Sequence, residues 1–215
     1  MDFLEGLSKF PIWHPPPSTK PSPTYLGEER HATIFLAVGQ AVNEWERFEL
    51  QMAILFRTFC EAESRAAQRA YGTIFGALGK GDAITAAATE FFRRRSSPNS
   101  DDAAMQEEDK TRLKKLLKAH TAAAAYRNNI AHGMVWEMRI TRSDGTTASG
   151  GLYLCASPQT TKKLELPDSA LSTYYYRAAE IQHCTKRFSE LAYFTLDLAA
   201  RIENHYLDPA KDPQE

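Results

Sequence analysis

The run Tyr126-Arg127-Asn128-Asn129-Ile130-Ala131-His132-Gly133 gathers a permanent cation, two amides and a titratable imidazole in one short stretch. Arginine presents a planar donor fork that matches phosphate. Histidine, with an unperturbed pKa of about 6.5, accepts and returns protons near neutrality. These are the functions needed to cleave RNA without a metal. A base removes the 2′-hydroxyl proton, an acid protonates the leaving 5′-oxygen, and a cation stabilises charge growing on the phosphoryl oxygens. The nucleophile belongs to the RNA itself.

Spacing makes a demand on geometry. On an unbroken helix, five residues put Arg127 and His132 about 140° apart around the axis and about 7.5 Å along it, so they do not face one point. Either the turn at Gly133 swings His132 back, or two copies of the chain meet across a two-fold axis and share a cleft. His120 lies seven residues before Arg127, on nearly the same helical face. It is a candidate, with Asn129, for lining a substrate groove.

The elements that must position these residues read as helical. Ile34, Val38, Ala41/Val42, Trp45, Phe48, Met52, Leu55 and Phe59 recur at steps of three and four, predicting a long amphipathic helix from about residue 28. Its opposite face, with Glu44, Arg47 and Gln51, reads as solvated. A second helix is expected over about 63–78, and a third is expected to start at an Asp82 cap and run to Arg95. Residues 96–100 form a loop signal. The helix carrying the motif is expected over about 106–132, stopped by Gly133. MVWEMRIT and GLYLCAS, separated by a linker containing Ser143-Asp144-Gly145 and Gly150-Gly151, predict a β-hairpin over about 134–157. A final helix is expected from Asp168 or Ser172 to about Tyr206.

The fold class expected is all-α: an antiparallel bundle of four to five helices with a hairpin insertion before the last helix. Residues 27–206 form the single domain of this reading and 207–215 a frayed tail. Residues 1–26 carry six prolines up to Pro23 and form an arm in which Phe10, Ile12 and Trp13 could anchor a partner subunit.

With 215 residues, 43% hydrophobic and 25% charged, the chain has the composition of an ordinary globular protein. A chain of this length buries roughly 70% of its unfolded surface on folding. A net charge of −1 excludes a uniformly basic nucleic-acid coat, so a polyanion must be met locally. Three widely spaced cysteines form no CxxC, which argues for reduced thiols and a cytoplasmic protein without a zinc finger. No apolar run reaches a membrane span, and no membrane partner is expected.

Other clusters read more plainly. Gly79-Lys80 fails as a phosphate loop, because Ile74 stands where the first glycine should be. Glu107, Glu108 and Asp109 are adjacent and point around a helix rather than into a metal cage. Arg93, Arg94 and Arg95 suit either a helix C-terminus or a phosphate. Tyr174, Tyr175 and Tyr176 on a helix would point three ways, mostly into packing. No metal and no cofactor are expected.

The segment from Arg127 to His132, at the end of a bundle helix, resembles the R-[polar]-x3-H signature of the HEPN superfamily. Asn128 stands where that family favours Asn, Asp or His. The resemblance covers the helical parts, about residues 28–206, and its specific content is this hexapeptide. It implies a homodimer whose clefts join two motifs, acting on RNA as a metal-independent endoribonuclease, often in bacterial toxin, phage-defence or stress systems where an antitoxin or defence protein is a partner. Arg127 and His132 would carry catalysis and Asn128 would orient them. The hairpin and the proline-rich arm lie outside that pattern. The alternative is a non-catalytic dimeric interaction or nucleotide-binding module.

Overall fold

A computed structural model describes residues 13–17, 19–95, 100–157 and 172–207. Five α-helices dominate it, α1 (His31–Phe59), α2 (Ala66–Gly72), α3 (Gly76–Arg94), α4 (Ser100–His132) and α5 (Ala178–Ile202), with a π-helical turn at Glu203–Leu207. Between α4 and α5 lies an antiparallel sheet in the order β1 (Met134–Thr141), β2 (Thr147–Cys155), β3 (Tyr175–Tyr176). The chain is mostly helical, as its periodicity predicts. Among the described residues no helix is long and apolar enough to cross a membrane.

Contacts divide the chain into two compact units. One is built on Glu46–Ala123 and the chain from Ser189, the other on His14–Trp45 and Ala124–Phe188.

In the first unit, Phe48, Met52, Leu55 and Phe59 of α1 are buried at steps of three and four, the stripe that an amphipathic helix turns inward. Phe59, Phe91, Phe92 and Tyr206 meet edge to face with ring centroids 5.5–5.9 Å apart, the arrangement favoured by the aromatic quadrupole. Tyr206 is held by its hydroxyl on Asp109 at 3.2 Å, and Arg201 Nε reaches the same carboxylate at 2.6 Å. The third helix differs from expectation. It begins at Gly76 and runs through Gly79 and Gly81, so Asp82 sits inside it instead of capping it. Packing of Ile84, Ala88, Phe91 and Phe92 outweighs the roughly 1 kcal/mol propensity cost of each glycine.

In the second unit the hairpin turns at Asp144, whose Oδ1 accepts from Thr146 N at 2.9 Å, with Gly145 at φ +81°. Gly150-Gly151, expected in the linker, instead lies inside β2. Met138 pairs with Gly151 and Arg139 with Ser149, so Gly150 is the extra residue of a β-bulge. The reason is the segment before α1: Gly27 N donates to Gly150 O at 2.7 Å, and Glu28 exchanges backbone hydrogen bonds with Leu152 at 2.9 and 2.8 Å. Gly151 has φ +88°, and a Cβ there would lie 2.7 Å from Gly27 C. The segment that immediately follows the expected arm is thus stitched to the sheet.

Tyr175 and Tyr176, expected on the last helix, form β3 against Leu154 and Cys155. The helix starts only at Ala178, where Glu28 Oε1 accepts from its backbone N at 3.0 Å and Glu180 accepts from Arg177 N at 2.8 Å. These carboxylates satisfy helix-start donors. Phe10, Ile12, the loop over 96–99, the start at Asp168 and the tail from 208 lie outside the described residues.

Candidate functional site

The motif occupies the last two turns of α4, in the second unit. Ile130 is 1% exposed and fixes the inward direction. At 100° per residue, Asn128 and His132 fall within about 40° of each other on the opposite side, and both are exposed. Arg127 lies on the flank, half-buried, with its Nη1 donating to Asn128 Oδ1 at 3.2 Å.

The helix remains α-helical through His132. Of the two arrangements open from spacing, a turn that swings His132 back is therefore absent, and the angular gap of about 140° between Arg127 and His132 stands. One chain presents Asn128 and His132 together and Arg127 to their side.

Several groups fix where this helix stops. Tyr174 Oη donates to the Asn129 carbonyl at 2.8 Å, satisfying one of the acceptors a helix C-terminus leaves without an intrahelical partner. Asn129 Nδ2 donates to Tyr176 Oη at 3.4 Å. The two tyrosine rings stack at 4.7 Å and 19°. A Cβ on Gly133 would lie 2.8 Å from both Asn129 O and Leu154 Cγ, so the chain leaves the helix through a gap only glycine fits.

Burial pushes the Tyr176 phenol up to about 12 and raises that of Tyr174 as well. Both hydroxyls stay protonated and work as neutral hydrogen-bonding groups. Asn129, predicted to line a substrate groove, spends its carbonyl and amide on this tyrosine pair.

His120 sits in the first unit and differs from its predicted role. Its side chain is fully buried, with Nε2 2.8 Å from Glu49 Oε1 and the ring edge-on to Phe48 at 5.5 Å. Glu49 Oε2 accepts from Lys80 Nζ at 2.6 Å, and Lys80 lies 5.2 Å from the Tyr71 ring centroid. Although burial opposes ionisation of Glu49, its bonds to His120 and Lys80 hold the carboxyl below the usual range. Glu49 and Tyr71 were not singled out by sequence, and Lys80 was weighed only as part of a phosphate loop that fails. The available signal was Glu49's position, four after Trp45 and three before Met52, on the inward stripe of α1.

Among the described residues no group of three or more His, Cys, Asp or Glu side chains is placed to hold a metal ion. No protein-family model, curated protein or solved structure matches the chain.

Proposed function

We propose that the chain is a homodimeric, metal-independent endoribonuclease of the HEPN type, with its helices forming a HEPN-like domain. The observation that carries this reading is His132, exposed at the end of an unbroken α4, five residues after Arg127 and on one face with Asn128. The angular gap within one chain is what a composite cleft between two copies would resolve.

In such a cleft Arg127 stabilises charge on the phosphoryl oxygens, and the two His132 imidazoles serve as base and acid. The 2′-oxygen attacks phosphorus as its proton passes to one imidazole. The bond to the 5′-oxygen breaks as the other imidazole protonates it. The products are a 2′,3′-cyclic phosphate and a free 5′-hydroxyl. Asn128, bonded to the Arg127 guanidinium, orients it. A cytoplasmic toxin, phage-defence or stress role, with an antitoxin or defence protein as partner, belongs to the same reading.

The test is cleavage of RNA by purified protein in excess chelator, with analysis of the ends. Cyclic phosphate termini that disappear in His132→Ala support the reading; undiminished activity in that variant ends it. The net charge of −1 favours a second reading, a non-catalytic dimeric interaction or nucleotide-binding module, because extensive RNA binding normally comes with a basic surface. Expression in growing bacteria separates the two: arrest that depends on Arg127 and His132 favours the nuclease, harmless expression the module.

A further inference from the structure

Within the first unit, α3 and α4 leave an open groove of about 660 Å³. Ala88, Phe92 and Leu113 form its nearly buried floor, and Leu117 is half-buried beside them. Thr85 and Thr89 line one wall, but each hydroxyl donates to a carbonyl of its own helix, on Gly81 at 2.8 Å and Thr85 at 2.7 Å. The length of the groove consequently offers methyl and ring surface and little hydrogen bonding.

Charge is distributed unevenly along it. Gln106 Nε2 donates to Phe92 O at 2.8 Å, and Lys110 Nζ lies 5.8 Å from the Phe92 ring centroid, so the start of α4 meets the end of α3. Arg93 and Lys110 accordingly lie toward one end and Thr85 and Leu117 toward the other, with Lys114 between them. Among the described residues no acidic side chain lines the groove. Arg93 is paired with Glu90 and Lys110 with Glu107, both exposed pairs three residues apart. Lys110 is held by one contact and Arg93 by two, at 2.8 and 2.7 Å; exposed pairs are screened by water and salt, so a ligand anion competes for these cations.

We propose that this groove binds a single-chain anionic amphiphile, its apolar chain along Ala88, Leu113 and Leu117 and its anionic head at the Arg93 and Lys110 end. The volume falls in the range of sites that hold one small molecule. The lining spans residues 85–93 and 110–117, about 12 Å at about 1.5 Å per residue. That is two turns, shorter than the roughly 12 residues a docking helix needs to be stable, so a small amphiphile fits better than a helical peptide. A ligand carrying a cation would find no carboxylate among these lining side chains. The inference is independent of the nuclease reading.

The test is calorimetric titration of the full chain with decanoate and with decylammonium, two probes of equal chain length and opposite charge. Decanoate should saturate at one per chain and bind at least about tenfold tighter than decylammonium. Lys110→Glu should weaken decanoate about fivefold. Ala88→Trp, which fills the floor, should abolish binding at unchanged circular dichroism. If that variant fails to fold, Thr85→Phe on the exposed wall serves the same purpose. Equal affinity for the two probes, or undiminished binding in the groove-filling variant, overturns the proposal. So does binding of an acidic helical peptide where decanoate does not bind.

Discussion

The Tyr174 hydroxyl donates to the Asn129 carbonyl at 2.8 Å, tying the residue before β3 to the last turn of the helix that carries Arg127 and His132. Tyr174 is 7% exposed, so water does not readily replace it. Tyr174→Phe should cost about 1–2 kcal/mol, the usual penalty for leaving a buried acceptor without its donor. Chemical denaturation of both proteins measures it, and hydrogen exchange should localise the loss to the end of α4.

Gly151→Ala tests the strap over the sheet. The new side chain would have to adopt φ +88° and lie 2.7–2.9 Å from the Gly27 backbone. Strain and overpacking together should destabilise the protein by about 3 kcal/mol. Thermal unfolding reports the loss. A change below about 0.5 kcal/mol, the range of an unconstrained surface substitution, would mean that Gly27 does not pass there.

His132→Ala should separate activity from stability. General acid–base catalysis is typically worth 10²–10⁴ in rate, so on the proposed ribonuclease reading RNA cleavage should fall by at least about 100-fold. His132 is exposed at a helix end. Its loss should change stability by no more than about 0.5 kcal/mol. Equal loss of folding and cleavage would make His132 structural.

Acid should weaken the first unit through Glu49. Its carboxyl titrates lower in the folded chain than the ordinary value of 4.5, owing to His120 and Lys80. A depressed carboxyl stabilises above the unfolded pKa and loses that contribution as pH falls through the folded one. The loss should therefore begin below about pH 5 and deepen as the pH falls further. Glu49→Gln, by breaking a largely buried ion pair, should cost about 3 kcal/mol at pH 7 and flatten this acid limb. Denaturant midpoints across that range check both.

Thiol labelling should discriminate three cysteines. Burial pushes the Cys155 and Cys184 thiols up to about 12, which leaves roughly one in ten thousand ionised at pH 8. Cys60 is exposed. Iodoacetamide at that pH should modify Cys60 alone in the folded protein and all three in urea, as read by peptide mass spectrometry.

Much of the helical content was legible because burial is periodic. Phe48, Met52, Leu55 and Phe59 announce α1 by spacing alone, and Gly133 marks the end of α4 by its position after the apolar stripe. Errors fell where long-range contacts overrode local signals. Gly150-Gly151 reads as a turn until Gly27 is laid against it. Tyr175 and Tyr176 extend a helical pattern until Leu154 and Cys155 pair with them. Gly79 and Gly81 read as breaks, yet the buried residues after them carry α3 through.

By itself the sequence determined that most of this chain is helix, that Arg127, Asn128 and His132 share one helix end, and that Arg127 and His132 diverge around its axis, since helical angles follow from residue spacing. Only the tertiary structure decided that α4 stays helical through His132, that Tyr174 and Tyr176 close its end, and that His120 is sealed against Glu49. Those outcomes depend on which distant side chain fills each remaining donor, acceptor and void, and residue spacing along the chain carries no record of that.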